Sequence, residues 1–469
     1  MRPPSNQILS AAQMRRAEEE LIAGGTSVDA LMQVAGHGAA EWVWRVSGGR
    51  AVTVLCGPGN NGGDGYVIAQ ALHERGGAVR VVAASAPATD AARNARAAYA
   101  GEVLGRDSLS DGGTDGAVLV DCLFGTGLTR GLTAEHAALL AGLAARHPYR
   151  IAVDLPSGVD SDTGQPLSPG LPDYDLTVAL GAWKPAHFLM PTCAKMGTLR
   201  LVPIGIGPVA DAAGLIERPR LHAPDADAHK YRRGLLAIVG GAMPGAALLA
   251  ATAAQGAGAG YVKLLGAAPA PDDLVTDAQS LANALLDTRI NAVLVGPGLG
   301  RDAMARERLT LAVAENIPAV LDADALVLLA PRLLAERTAP LIATPHDGEL
   351  AALERTFDCA GGGSKVGRAR DLARASGMVI VAKGADTVIA APDGRLALSP
   401  RASSWLSTAG TGDVLAGTIA SRLASGADPF AAACQGVWLH GEAARRCPPA
   451  FTAGMLAAAI RSAYAASCD

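Results

Sequence analysis

Ala51-Val52-Thr53-Val54-Leu55-Cys56 runs directly into Gly57-Pro58-Gly59-Asn60-Asn61-Gly62-Gly63-Asp64-Gly65. The first six residues are an almost unbroken apolar run, the pattern of a strand covered on both faces in a parallel sheet. Turn residues follow, and a helical pattern begins near residue 64. Strand, glycine turn and helix in that order predict one unit of a doubly wound α/β domain. Strand-like runs recur at Val79 to Ala83, Ala117 to Val120, Arg150 to Val153, Leu176 to Leu180 and Thr198 to Val202. Helical stretches near 88–100 and 134–146 lie between them. Two helices are predicted upstream, Ser10 to Ile22 and Thr26 to Trp44, the second with Leu31, Met32, Val34 and Ala35 facing inward.

The whole chain has 469 residues, more than one ordinary domain holds. Half of it is hydrophobic and 18% is charged, so each domain can bury a core. A net charge of −4 without any Lys/Arg block argues against a nucleic-acid surface. Seven cysteines, odd in number and without a C-x-x-C pair, predict neither a disulfide framework nor a zinc site and suit a reducing cytoplasm. Met1-Arg2-Pro3-Pro4-Ser5 leads into no apolar segment, so no secretory signal is expected. No run of about 18 apolar residues predicts a membrane span.

In such a domain ligands bind beyond the carboxyl ends of the strands. The Gly57 to Gly65 turn formally matches G-x-G-x-x-G, a weak signal alone. A nicotinamide dehydrogenase would show an acidic residue after the second strand, and Val82-Ala83-Ala84-Ser85 has none. The turn is better read as a phosphate cradle. Two later strand ends carry similar clusters, Asp121 to Gly131 and Asp154-Leu155-Pro156-Ser157-Gly158. Asn61, Asp121 and Ser157 offer hard oxygens, suited to an alkali or alkaline-earth ion. Asp154 is the natural acid/base candidate. Lys184 is either a charged group of the same site or a solvated lysine after a strand.

These three segments closely resemble the NAD(P)H-hydrate epimerase family, over roughly residues 8–215. The resemblance implies a Rossmann-like domain that inverts the hydroxyl-bearing carbon of a hydrated nicotinamide ring. It implies a potassium ion on Asn61, Asp121 and Ser157. Contacts to the hydrate carry over to Asn60, Asn61, Gly62, Gly63 and Asp64, to Gly125, Thr126, Gly127, Leu128, Thr129, Arg130 and Gly131, and to Asp154.

A join rich in Pro, Gly, Ala and Asp separates a domain at 1–215 from a second at 229–469, with 216–228 as linker. The second series of strands ends in Gly296-Pro297-Gly298-Leu299-Gly300, Asp322-Ala323-Asp324, Thr344-Pro345-His346-Asp347-Gly348-Glu349 and Lys383-Gly384-Ala385-Asp386-Thr387. Near the end stands Ala409-Gly410-Thr411-Gly412-Asp413, followed by the apolar helix Val414 to Ala424. Its turn and helix start form an anion hole of backbone N–H groups. Asp413 within it is either a helix cap or a base that takes a hydroxyl proton beside a phosphoryl group. No G-x-x-x-x-G-K-[ST] loop is present.

Together these segments look like the ribokinase-like fold and, narrowly, resemble ADP/ATP-dependent NAD(P)H-hydrate dehydratase over about 225–469. Thr344 to Glu349 is the discriminating motif. The resemblance implies that a nucleotide phosphorylates the hydrate's hydroxyl and that phosphate then leaves, restoring the double bond. By residue it makes Asp413 the base and Gly410, Thr411 and Gly412 the anion hole. Lys383, Gly384, Ala385, Asp386 and Thr387 with Gly412 would hold the nucleotide, and Ala246, Gly298 and His346 the hydrate. It further implies Mg2+, ADP as co-substrate with ATP possible, hydrated NADH and NADPH as substrates, and self-association. Ala409 replaces a family glycine, which strains the loop if that residue needs a positive φ. His346 has a plainer reading, an imidazole bonded to backbone at a turn. The rival reading of the whole chain is a small-molecule kinase fused to a non-catalytic nucleotide-binding domain.

Overall fold

The computed structural model describes residues 6–105, 116–266 and 269–468. The chain divides into two compact units, Met1–Gly214 and Leu215–Asp469. Among the described residues no helix is long and apolar enough to cross a membrane.

The first unit runs β1 (Gln7–Ile8), α1 (Ala11–Ala23), α2 (Val28–Ser47), β2 (Val52–Cys56), α3 (Asn60–Glu74), β3 (Val79–Ala83), α4 (Asp90–Ala98), β4 (Val103–Gly105), β5 (Val118–Cys122), α5 (Ala134–Arg146), β6 (Tyr149–Val153), β7 (Leu176–Leu180), β8 (Thr198–Val202) and β9 (Ala213–Leu215). Helix α1 starts at a reciprocal cap. The Gln13 N–H donates to Ser10 Oγ at 3.2 Å, and the Ser10 N–H donates to the Gln13 side chain at 2.9 Å. Strands order as β4-β3-β2-β5-β6-β7-β8, parallel throughout. The unbroken apolar run of β2 follows from burial on both faces: Val52, Val54 and Cys56 pack with α2 and α3, while Leu55 packs with Leu139, Leu140 and Leu143 of α5. Val34, expected inward, is 50% exposed. A helix turns by about 100° per residue, which carries Val34 off the stripe made by Leu31, Met32, Ala35 and Ala39.

The second unit runs β10 (Leu235–Val239), α6 (Pro244–Gly256), β11 (Tyr261–Leu265), β12 (Val275–Asp277), α7 (Leu281–Leu285), β13 (Ile290–Val295), α8 (Ala303–Ala314), β14 (Ala319–Leu321), α9 (Asp324–Leu328), β15 (Leu341–Ala343), α10 (Asp347–Thr356), α11 (Lys365–Ser376), β16 (Val379–Ala382), β17 (Val388–Ala390), β18 (Leu396–Leu398), α12 (Thr411–Ala424), α13 (Pro429–Arg446) and α14 (Ala453–Ala465). Its strand order reads β18-β17-β16-β15-β14-β13-β10-β11-β12. Strands β16 to β18 pair antiparallel and the others parallel. Residues 216–228 belong to this unit: the Ile216 N–H donates to the Leu398 carbonyl, and the Leu221 N–H to that of Ser467. Helices α6 and α12 approach closely because small residues meet. A Cβ on Gly417 would lie 2.1 Å from the Ala250 carbonyl oxygen, so only glycine permits the contact. That seating fixes where α12 begins.

Both sheets have a switch point where the chain direction reverses across the strand order, between β2 and β5 in one and between β10 and β13 in the other. Crevices at such points are where open α/β sheets bind ligands.

Candidate active sites

In the first unit, α3 begins at Asn60, four residues before its helical pattern becomes legible. Its N-cap, Gly59, supplies no side-chain acceptor. The N–H groups of Asn60, Asn61 and Gly62 are therefore unpaired by the helix and face outward at its positive end, an anion cradle. Asn60 is steadied by Thr89, whose hydroxyl donates to its Oδ1 at 2.7 Å.

A cavity of about 420 Å³ opens there. Asn60, Asn61, Asp64, Gly125, Thr126, Gly127, Leu128 and Asp154 line it, and so do Arg15 and Glu18 of α1, Thr89 and Lys184. Gly62 and Gly63 are buried behind it, and Thr129, Arg130 and Gly131 are outside its lining. Arg15, Glu18 and Thr89 join the site without a sequence motif to mark them. The only trace of the first two is a charged pair three residues apart on one face of α1, a pattern shared by many solvated helices.

Asp154 sits just past β6 with φ 66°, a conformation L-residues adopt at a cost. Its Oδ2 accepts from the Thr126 N–H at 2.8 Å and hydroxyl at 2.6 Å, and its Oδ1 from Lys184 Nζ at 2.5 Å. Lys184 is 1% exposed and also donates to the Leu180 carbonyl at 2.7 Å. The solvated reading of Lys184 is thus excluded. Burial by itself raises the Asp154 carboxyl, but the Lys184 ammonium and the Thr126 bonds outweigh it and hold the group below the usual range.

His187 locks this pair from behind. Its Nε2 lies 2.8 Å from the Asp154 carbonyl oxygen, which can only accept, so Nε2 carries the proton. Its Nδ1 accepts the Lys184 N–H at 2.9 Å. Burial first, then Lys184, lower its pKa to about 4, which keeps the ring neutral. Asp64 has the opposite environment from Asp154. Burial, then the charges of Asp154 and Glu18, push its carboxyl well above the ordinary value.

Asp121, fully buried, accepts from Ser157 Oγ at 2.7 Å, Tyr174 OH at 2.5 Å and the N–H groups of Leu123 and Ser157 at 3.1 Å. Ser157 Oγ in turn accepts the Phe124 N–H at 2.9 Å. Asp121 and Ser157 therefore form one oxygen cluster. Asn61 lines the neighbouring cavity, and its amide is buried with neither Oδ1 nor Nδ2 hydrogen-bonded. An orphaned buried amide oxygen is costly unless something binds it, and a weakly hydrated alkali ion suits such donors.

In the second unit, Gly410 is the N-cap of α12 with φ 91°. Ala409 is not among the positive-φ residues, so the left-handed conformation falls on a glycine and the loop escapes the strain. A Cβ on Gly410 would also come within 2.9 Å of Ala453 and Leu249. Thr411 ties the turn down, with its Oγ1 2.9 Å from the carbonyl oxygens of Leu406 and Thr408. Asp413 lies in the first turn of α12. It makes no cap bond, since the N-cap role belongs to Gly410.

Across from it, Lys383 Nζ donates to Asp322 Oδ1 at 2.6 Å, and Thr344 Oγ1 donates to the same oxygen at 2.7 Å. Lys383 also faces Gly412: a Cβ there would lie 3.5 Å from Nζ. Burial, then the charge of Asp322, lifts the Asp413 carboxyl to about 6, with Lys383 opposing. The Lys383 to Thr387 loop is pinned by Lys365, which donates to Asp386 Oδ1 at 2.6 Å and the Lys383 carbonyl at 3.1 Å. Lys365, at the start of α11, has no signal in sequence.

Gly298 and Ala246 are brought together at the β10/β13 switch point, with a Cβ on Gly298 falling 3.1 Å from that of Ala246. His346 caps α10, its Nδ1 accepting the Gly348 and Glu349 N–H groups at 3.0 and 3.3 Å, while its side chain stays 63% exposed. Among the described residues no three acidic, histidine or cysteine side chains converge as a ready metal cage.

The family described as NAD(P)H-hydrate dehydratase matches residues 236–465, and that described as YjeF-related protein N-terminus matches residues 28–186. The chain is 36% identical to the bifunctional NAD(P)H-hydrate repair enzyme Nnr of Salinibacter ruber, over 94% of this chain and 92% of that one. It is 35% identical to the Mycobacterium leprae protein of the same name, over 93% of each. Among solved structures, the Bacillus subtilis ADP/ATP-dependent NAD(P)H-hydrate dehydratase co-crystallised with ATP and Mg2+ is 29% identical, with a TM-score of 0.47, covering 53% of this chain and 95% of that one.

Proposed function

The chain belongs to the family of bifunctional NAD(P)H-hydrate repair enzymes, and from that premise we propose that it restores hydrated NADH and NADPH by two successive reactions, one in each unit. The first unit interconverts the R and S hydrates. The second dehydrates the S form, with ADP as phosphoryl donor and AMP and phosphate as products, ATP serving in its place. The acidic balance of the chain speaks for small-molecule partners rather than nucleic acid or membrane, and the reading includes a cytoplasmic, self-associating enzyme.

The observation that carries the reading is the placement of Asp413, a carboxyl lifted to about 6 inside a helix-start anion hole and opposite Lys383. Near neutral pH such a group is ionised yet basic enough to take a hydroxyl proton. The hydrate's oxygen attacks the terminal phosphorus, the bond to the donor breaks, and the N–H groups of Gly410 to Gly412 with Lys383 stabilise the transferring charge. Phosphate then leaves with its electron pair as the ring nitrogen pushes in and the adjacent carbon loses a proton, which remakes the double bond. Hydroxide is a poor leaving group and phosphate a good one. Lys383 to Thr387, with Gly412, would hold the nucleotide, and Ala246, Gly298 and His346 the hydrate. A magnesium ion would come in on the nucleotide's phosphates and neutralise their charge.

In the first unit, Asn60 to Asp64, Gly125 to Gly131 and Asp154 would hold the hydrate. Potassium fits Asn61, Asp121 and Ser157, where it would give the orphaned amide its partner and help seat the substrate. The test is recovery of NADH absorbance from a mixture of hydrate epimers with the full chain and ADP or ATP. Full recovery with one phosphate released per NADH is expected. A stable phosphorylated alcohol would instead support the kinase reading, and no recovery with either nucleotide would sink the proposal.

A further inference from the structure

Inversion of a hydroxyl-bearing carbon by loss and re-addition of water calls for an acid on one face and a base on the other, and Asp154 is one carboxylate. Hydration of an enamine double bond places the oxygen on the carbon attached to nitrogen, because nitrogen stabilises the cation that water captures. The stereocentre to be inverted is therefore a carbinolamine, and it can lose water as easily as it was formed.

The cavity of the first unit contains a second carboxyl with no structural employment. Asp64 lies in the first turns of α3, lines the same cavity as Asp154 and is 8% exposed. Among the described residues its carboxyl makes no hydrogen bond or ion pair, whereas both Asp154 oxygens accept hydrogen bonds from Thr126, Lys184 and the Leu180 N–H. Its charged neighbours are Asp154, Glu18 and Lys184. A buried, unpartnered carboxyl costs stability unless it is neutral or used. Lys184 opposes the shift from a distance, while its hydrogen bonds go to Asp154 and the Leu180 carbonyl.

We propose, resting on the repair reading above, that Asp64 is the second proton-transfer residue of the epimerisation and works with the Asp154–Lys184 pair by loss and re-addition of water. Asp64 donates its proton to the hydroxyl oxygen. The C–O bond breaks, water departs, and the nitrogen lone pair forms C=N+. Water adds to the other face of the planar cation, and its proton goes to the Asp154 carboxylate. Asp64 is left ionised and Asp154 protonated, the state that runs the reverse inversion, and exchange with solvent resets the pair. Buried in its acidic surroundings, Asp64 is held in the donor form, and Lys184 holds Asp154 in the acceptor form.

The experiment uses the full chain and separated hydrate epimers in 18O-water. Wild type should exchange the epimers with one solvent oxygen incorporated per inversion. Inversion with the original oxygen retained overturns the proposal, and this arm needs no variant. Asp64→Asn should lower kcat for epimer exchange by about 10²–10⁴-fold with KM little changed, and Asp64→Glu should recover part of it. Unchanged exchange in a well-folded Asp64→Asn chain, checked by circular dichroism, also overturns it. If wild type exchanges no epimers at all, the repair reading itself fails, a result distinct from either.

Discussion

At the scale of single residues, environment rather than identity decides which carboxyl does what. Asp413 and Asp154 are both aspartates beside a lysine. One is lifted to about 6 by burial and then by the charge of Asp322, while the other, though burial raises it too, is held low by an ammonium and two Thr126 bonds. Dehydration should therefore fall as pH drops below about 6, as Asp413 takes up its proton, and an assay of NADH recovery from the S hydrate across the acid and neutral range checks it. The sign for stability is opposite. A carboxyl whose folded pKa is raised favours the fold when neutral, so its stabilising effect is lost as pH rises through about 6. Asp413→Asn should consequently lose about 10²–10⁴-fold in dehydration while gaining roughly 1–2 kcal/mol of stability near neutral pH, after allowance for solvent screening. Loss of both activity and melting temperature would contradict this.

At the scale of elements, turns are legible in the sequence and their neighbours are not. The glycine turns, the parallel strands and the start of α12 all follow from local patterns, since period and turn chemistry are local signals. Lys184 does not: a lysine after a strand looks the same whether it is solvated or, as here, 1% exposed against Asp154. Glu18, Arg15 and Lys365 arrive from other helices, and only tertiary packing brings them to the sites. The start of α3 is hidden because its first turn, Asn60 to Gly63, is written in residues that otherwise make loops. Gly410 is the element-scale test of the second site. Gly410→Ala meets both a left-handed φ and contacts of 2.9 Å, so it should cost about 1–3 kcal/mol and most of the dehydration, read by thermal melt and NADH recovery. Ser407→Ala, on the exposed approach to the turn, serves as the control.

At the scale of the whole molecule, two units with separate cores carry separate chemistry. Asp154→Asn should stop epimer exchange while leaving dehydration of the S hydrate near wild type, and Asp413→Asn should do the reverse. With mixed epimers the first variant should stall when the S fraction is spent. Mixing the two variant chains should return recovery to completion, and failure of that mixture would mean that the half-reactions are not independent. Two-unit organisation is legible from the repeated strand–turn–helix series.

The seating of Gly417 against Ala250 has a consequence for the order in which the second unit comes apart. From Val414 to Ala424 every residue of α12 is buried, and α6, α13 and α14 surround it. Its amide protons have no local route to solvent, so they should exchange with deuterium only when the unit opens globally. The Trp405 to Thr408 approach, largely exposed and held by short-range bonds, should exchange orders of magnitude sooner. Asp413, the proposed base, thus stands one residue ahead of the stretch expected to open last, while the length of chain that leads to it is expected to yield first.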